Sequence, residues 1–365
     1  MVTVNPLHFA LAVGISRYPG GYRELQGPVQ DATAFVRWLR NPDGGGVPDG
    51  NIEAFLSPAG EDMTLRDARP AKQAIDQALW DLRRRALAAV AALPEHERAA
   101  ARASSRLYIF VAGHGIMPGD GETALLDARA EPDRRTNLEL SAYATWFRRD
   151  GAFAEVCVFA DCCRNFELLA VAGGPDFDKP ARLGGPVVVL MGWATTDGAL
   201  AFEDDGRGYF SRALIDGLEG NAADESGRVT AASLHGYLST RVAALTAGRP
   251  RHQQQAVRMP VEQPMVFGPV HTPGPFRPGS PPPGPGRRPR RVRITFPQGF
   301  DDEVELVGPS DMTPFWDASA GPWTIWLHDG LWTVQRAKTA VDTSVFRDHG
   351  TFTVAGKDLD VALGQ

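Results

Sequence analysis

Val111-Ala112-Gly113-His114-Gly115 closes one apolar run, Leu107 to Ala112, and Ala160-Asp161-Cys162-Cys163-Arg164 closes another, Val156 to Ala160. Short apolar runs without alternation are what strands buried on both faces require, and such strands belong to parallel sheets covered by helices. In open sheets of that kind, functional groups collect at the carboxyl ends of the strands. One of these two strands ends in an imidazole and the other in a thiol. The thiolate is the reactive form of cysteine, and an imidazole at the same sheet edge takes its proton.

The flanking sequence supplies the rest of such a sheet. Phe9 to Ile15 is a continuous apolar run and reads as the first strand. Asp31 to Leu39 shows helical spacing through Ala34, Phe35, Trp38 and Leu39. Ile52 to Leu56 reads as a second strand. Pro70 opens a long helix through Ile75, Leu79 and Leu82, proline being tolerated in a first turn. The Ala-rich stretch from Leu87 to Arg106 reads as helix and exposed loop. Ser141 to Phe147 reads as a helix capped by Ser141. Val187 to Trp193 is a fifth strand, and helices follow at Phe210 to Leu218 and Ala231 to Ala247. Strand and helix in alternation predict an α/β fold, a mostly parallel sheet flanked by helices, over residues 1–268.

The composition changes at Pro269. Residues 269–291 are rich in Pro, Gly and Arg and read as an extended linker. Beyond it, residues 292–365 carry short runs at Val292 to Phe296, Val304 to Val307, Trp323 to Leu327 and Leu331 to Val334, separated by turn signals. They predict a small all-β domain of antiparallel strands, sandwich-like. Its Trp316, Trp323, Trp326 and Trp332 read as core, or alternatively as a ligand or partner surface.

The 365 residues are 43% hydrophobic and 22% charged, the balance of an ordinary globular protein. A net charge of −6 gives no reason to expect nucleic acid as a partner. Arg287-Arg288-Pro289-Arg290-Arg291 reads as a solvated hinge in the linker rather than a nucleic-acid or membrane patch. Cys157, Cys162 and Cys163 sit too close together to staple a fold, which fits a reducing compartment. Met1 to Ile15 has no basic leader, and its apolar run is too short to span a bilayer. The expectation is a cytoplasmic protein without a membrane partner.

Within the pair, His114 is the base and Cys163 the nucleophile. The backbone N–H groups of Gly115 and Cys163 are the candidate donors to a developing oxyanion. Cys157 reads as core, and alternation along the strand turns Cys162 to the face opposite Cys163. Glu122, Asp127, Glu131 and Asp133 form an acidic loop whose spacing fits no tight calcium loop, so no cofactor is expected and a solvated loop is the better reading.

His followed by Cys after about fifty residues is the caspase spacing. The chain resembles the caspase-like cysteine peptidases, on the metacaspase and bacterial caspase-homologue side. Gly113-His114-Gly115 is similar to that family's histidine motif. Asp161-Cys162-Cys163-Arg164 is similar to its Asp-x-Cys, which matches Cys163 to the nucleophile. Ala10 to Ile15 with Leu25 to Ala32, and Gly208 to Leu218, are similar to its first strand with the acid behind it and to its Gly-x-Phe-Thr/Ser helix start. Two positions depart from the pattern: Asn165 stands where relatives carry Gly or Ser-Gly, and Pro28 where many metacaspases carry a second cysteine.

The resemblance implies that Asp31 and Asp161 line the S1 pocket. Two facing carboxylates repel, and a guanidinium between them relieves the repulsion, so the implied substrate is a protein with Arg, or less favourably Lys, at P1. Alternatively Asp31 is a helix N-terminal acid and Asp161 a strand-end turn residue. The resemblance also suggests self-cleavage after the nucleophile, with Arg182-Leu183 the best candidate bond and Arg134, Arg135 and Arg291 others; an uncut surface loop is the equal alternative. It further implies a regulatory C-terminal domain that takes an activating ligand or partner, and a role in bacterial stress or defence signalling. The competing reading is a catalytically silent scaffold or ligand-binding protein on the same fold.

Overall fold

The computed structural model describes residues 5–57, 63–119, 122–166, 170–183, 185–196, 200–224, 226–247, 249, 255–259, 265–269 and 290–297. Beyond these it describes residues 303–307, 315–317, 323–327, 330–336, 348–354 and 359–362. The chain divides into two compact units, Met1–Gly274 and Pro275–Gln365.

In the first unit the elements run β1 (His8–Ile15), α1 (Pro28–Arg40), β2 (Ile52–Ser57), α2 (Lys72–Ala91), α3 (Glu95–Ala103), β3 (Arg106–Gly113), β4 (Gly115–Met117), β5 (Ala124–Leu126), β6 (Asn137–Glu139) and α4 (Leu140–Asp150). They continue as β7 (Glu155–Cys162), β8 (Asn165–Phe166), β9 (Val188–Trp193), β10 (Glu203–Asp204), β11 (Arg207–Gly208), α5 (Tyr209–Asp216) and α6 (Ala231–Thr246). Five strands make the central sheet in the order β2-β1-β3-β7-β9. Every pairing in it is parallel. The expected parallel sheet flanked by helices is therefore present, and its order reverses between β1 and β3, the switch point at which such sheets bind ligands.

One face of the sheet buries Phe9, Leu11 and Val13 of β1 and Leu107, Ile109 and Val111 of β3 with Ile75, Leu79 and Leu82 of α2 and Phe147 of α4. On the other face β1 offers Ala10, Ala12 and Gly14 beyond its first residue, His8. A Cβ on Gly14 would come within 2.9 Å of the Ala32 Cβ on α1. The small side chains let α1 lie close, and Phe35 stacks on Phe110 with ring centroids 4.8 Å apart. That approach fixes the position of Asp31, one turn into α1.

Two helix starts differ from the sequence expectation. α2 begins at Lys72 with Ala71 as its cap residue, so Pro70 lies before the helix. α4 is capped by Glu139, whose carboxylate accepts from the backbone N–H groups of Ser141 at 2.8 Å and Ala142 at 2.6 Å. Ser141 is the recipient of the cap, because a carboxylate two residues earlier reaches both orphan donors.

The second unit contains strands at Arg290–Thr295, Glu303–Val307, Phe315–Asp317, Trp323–Leu327, Gly330–Arg336, Asp348–Val354 and Leu359–Ala362. They form a three-stranded and a four-stranded sheet. One pairing, Arg290–Thr295 with Leu359–Ala362, is parallel, so the expected purely antiparallel pattern does not hold. The side chains of the four tryptophans, and residues 270–289 of the expected linker, lie outside the described residues.

Candidate active site

The register of β3 on β7 pairs Ala112 with Asp161 and Gly113 with Cys162. The next residue on each strand is His114 and Cys163, so the candidate base and nucleophile leave adjacent parallel strands at the same level. Neighbouring strands lie about 4.8 Å apart. The two chains then part and pair again as β4 and β8, with Ile116 opposite Asn165. Both reactive residues sit in that break. A Cβ on Gly115 would collide with the carbonyl of Cys163 and come within 2.7 Å of the Cys162 Cβ. Only glycine lets the two motifs approach this closely.

Both residues line a cavity of about 560 Å³, which also takes in Tyr22, Arg23, Asp31, Asp161, Glu203 and Gly208. The five residues the sequence brought forward for nucleophile, base, oxyanion and P1 selection, Cys163, His114, Gly115, Asp31 and Asp161, all border this one space.

His114 is held from three sides. Its backbone N–H donates to the Tyr18 hydroxyl at 2.9 Å, and Tyr18 in turn donates to the Leu126 carbonyl at 3.3 Å. Tyr18 and Tyr22 pack on the imidazole with ring centroids 4.9 and 5.5 Å away. Nε2 lies 2.7 Å from the Arg23 carbonyl. A carbonyl only accepts, so Nε2 carries the proton and Nδ1 is left as the acceptor of the neutral ring. Burial lowers the imidazole pKa; the Arg23 carbonyl opposes this, and the Arg23 guanidinium adds to it. Neither tyrosine nor Arg23 stood out in the sequence, since a backbone carbonyl and an aromatic wall leave no motif.

Cys163 is half-buried and free. Its Sγ accepts from the Ala201 N–H at 3.4 Å and donates to the Ala201 carbonyl at 3.7 Å. Burial raises its pKa, while the Ala201 N–H and the Arg23 charge pull it down. Cys162 is buried in the helix-packed core, on the face the alternation assigned it. Cys157 is buried with its Sγ 3.1 Å from the Met265 sulfur. Arg164 is fully buried. Its Nε donates to Thr123 Oγ1 at 2.7 Å, and its guanidinium lies 5.1 Å from the Trp193 ring centroid. The turn carrying the nucleophile is thereby pinned from behind.

Asp31 and Asp161 are both buried and face each other across Gly208. A Cβ on Gly208 would strike Asp161 Oδ2 and come within 3.1 Å of Asp31 Oδ2. Asp161 Oδ2 accepts from the Ser211 N–H at 3.0 Å and its hydroxyl at 2.6 Å. Asp31 Oδ2 accepts from the Gly208 N–H at 2.8 Å, and Arg207 Nε donates to Oδ1. Burial raises both carboxyl pKa values; for Asp31 the charge of Asp161 adds to it, and for Asp161 that of Glu203. A third carboxylate, Glu203, accepts from the N–H groups of Gln26 at 3.1 Å and Gly27 at 2.7 Å. Glu203 and Arg207 come from the hairpin β10–β11, and the sequence reading passed over both.

Arg182 is exposed, at φ 54°, away from the cavity lining. In the acidic loop, Asp127 is committed to the fold. Its carboxylate accepts from the N–H groups of Lys72 and Arg129, both at 2.9 Å. Among the described residues, no group of three or more His, Cys, Asp or Glu side chains is arranged to hold a metal ion. Nor, among them, is any helix long and apolar enough to cross a membrane.

Comparison with known proteins follows this geometry. A family model described as "Caspase domain" matches residues 7–266. A curated probable protease of a Desulfuromonadales bacterium is 28% identical over 230 residues, covering 58% of this chain. The aligned part is 26% of that relative, so the chain spans about a quarter of its length. Caspase-1 of Spodoptera frugiperda superposes with a TM-score of 0.48 at 13% identity, covering 73% of this chain and 92% of that one.

Proposed function

Since this chain belongs to the caspase-domain family, we propose that it is a cysteine endopeptidase that cuts proteins after Arg, and less readily after Lys. The observation that carries the reading is the β3–β7 register, which sets His114 and Cys163 at adjacent strand ends on a cavity floored by buried carboxylates. Nδ1 of His114 takes the Cys163 proton, and the thiolate attacks the scissile carbonyl carbon. The Gly115 and Cys163 N–H groups donate to the oxygen as it becomes negative. The imidazolium returns its proton to the leaving amine, and water, deprotonated by the same ring, hydrolyses the thioester. Asp31 and Asp161, with Glu203 beside them, hold the P1 guanidinium, whose planar fork meets two carboxylates where an ammonium meets one at a time.

The same reading makes residues 1–268 the peptidase domain and the all-β unit a regulatory appendage joined by residues 269–291. It places the protein in a reducing cytoplasm, where the three free cysteines persist, and in stress or defence signalling. Arg182-Leu183 is its candidate self-cleavage bond.

The silent-scaffold reading draws on one observation: the Cys163 thiol hydrogen bonds to the Ala201 backbone and not to His114. A peptide panel with Arg, Lys or Asp at P1, run beside Cys163→Ala, separates the two. Cleavage after Arg that vanishes in Cys163→Ala is the expected result. Preferred cleavage after Asp overturns the P1 assignment, and no cleavage of any peptide favours the scaffold.

A further inference from the structure

The S1 acids already contain a cation. Arg207 Nε donates to Asp31 Oδ1, and the pair is an ion pair with the Asp31 side chain almost wholly buried. Arg207 does not line the cavity, whereas Asp31, Asp161 and Glu203 do. The other Asp31 oxygen is held by the N–H of Gly208, the residue next to Arg207. One hairpin strand thus grips both oxygens of one carboxylate, and the Asp205-Gly206 turn, both residues at positive φ, folds that strand back so that Glu203 pairs with Gly208.

We propose that Arg207 is a positioning residue of the P1 pocket: it fixes Asp31 and favours its ionised form beside Asp161, so that the substrate more often meets two charged acids than two carboxyls sharing a proton. The inference rests on the basic-P1 reading above. Three charged groups lie near Asp31: Asp161 on β7 and Arg207 on β11, which both act on its charge, and Glu203 on β10, whose carboxylate and that of Asp31 both border Gly27. Two are negative and one is positive. Burial and the charge of Asp161 raise the Asp31 pKa, and the Arg207 hydrogen bond is the largest opposing influence. Without Arg207 a buried carboxyl facing two like charges takes up a proton, and a protonated Asp31 offers a P1 guanidinium no charge.

The test is kcat/KM across pH 5 to 9 for wild type, Arg207→Gln and Arg207→Lys, on an Arg-P1 peptide and on one with an uncharged P1. Arg207→Gln is expected to raise KM for the Arg-P1 peptide about tenfold at neutral pH. It should move the acidic limb of its profile up by about one pH unit, the scale of one close ion pair, with kcat nearly unchanged. The uncharged-P1 profile stays in place, and Arg207→Lys restores most of the loss. A wild type that cleaves both peptides equally well overturns the basic-P1 reading and this role with it. A wild type that prefers Arg but keeps its limb and KM in Arg207→Gln overturns the role alone. So does an equal loss of kcat on both peptides that Lys does not rescue. Should Arg207→Gln fail to fold, Asp31→Asn and Asp31→Asn/Arg207→Gln decide. Arg207 acts through Asp31, so the second substitution leaves KM within about twofold, and a further tenfold loss refutes it.

Discussion

At the level of single residues, the surroundings of the proposed dyad favour the neutral pair. Burial raises the Cys163 pKa and lowers that of His114, so each group is pushed away from its charged form. On the proposed mechanism the thiolate is then made when substrate is present, rather than held beforehand as a thiolate–imidazolium pair. Alkylation of the free protein by iodoacetamide should accordingly rise through a pKa above the ordinary thiol value of about 8.5. Cys163 should label first, because Cys157, raised to about 12, and Cys162, also raised, are buried. Peptide mapping by mass spectrometry reads both results, and a Cys163 that titrates below neutrality contradicts them. His114→Ala should cost kcat/KM about three orders of magnitude, the range of a general base, with KM little moved. The acid pair makes a separate prediction about stability. Folded pKa values of about 7 for Asp31 and about 6 for Asp161 lie above the unfolded value. Their contribution is complete below about pH 4 and is lost as pH rises through 6 to 7. Asp161→Asn removes a carboxyl whose ionisation is opposed by burial and by neighbouring charge, so its Tm relative to wild type should be higher at pH 8 than at pH 5. A difference that does not change with pH would mean that Asp161 ionises as freely in the folded chain as in the unfolded one.

At the level of elements, the break between β3 and β4 and that between β7 and β8 hold the proposed base and nucleophile, and Gly115 sets their spacing. Gly115→Ala pushes a methyl into the Cys163 carbonyl and the Cys162 Cβ. A displacement of about 1 Å between base and nucleophile costs about 100-fold, so kcat should fall by that order while the circular dichroism spectrum stays native. Gly115→Ala with full activity would show that the approach is slack. The strands themselves were legible because burial on both faces writes an unbroken apolar run, and the strand-end position of His114 and Cys163 followed from it. The cap of α4 was misassigned because Ser141 is the commoner capping type, and geometry let Glu139 reach further. Glu203 and Arg207 could not be read at all. Each lies on a two-residue strand too short for any period, and Arg207 meets an acid 176 positions away in sequence. Asp205-Gly206, a hairpin-turn dipeptide, was the one local trace of that hairpin.

At the level of the whole molecule, the first unit constrains the segment expected to be cut. Residues 170–183 follow the nucleophile and are tied to α4 and its surroundings at several points. The Phe177 ring lies 4.9 Å from that of Trp146 and 5.6 Å from that of Trp80. Trp146 Nε1 donates to the Asp178 carbonyl at 3.0 Å. Around the candidate bond, the Ala181 N–H donates to Asp150 Oδ1 at 2.9 Å and the Leu183 N–H to the Asp150 carbonyl at 2.8 Å. Asp150 is itself locked by Arg83 in a buried two-point pair at 2.7 and 2.8 Å. A peptidase needs an extended stretch of chain, so cleavage at Arg182-Leu183 would require an opened state, and the population of that state would set the rate. Phe177→Ala removes the aromatic anchor and leaves Asp150 and Arg182 in place. A half-buried ring is worth about 2 kcal/mol here, which makes the open state about thirtyfold more populated. In a Cys163→Ala background, where self-cleavage cannot contribute, trypsin should cut after Arg182 about thirtyfold faster in Phe177→Ala than in the parent. In the active protein the same substitution should hasten the appearance of a fragment ending at Arg182, followed by intact mass. Equal trypsin rates with and without Phe177 would mean that the Asp150 contacts alone hold the segment, and an active protein that stays whole after Phe177→Ala would exclude Arg182 as its own substrate.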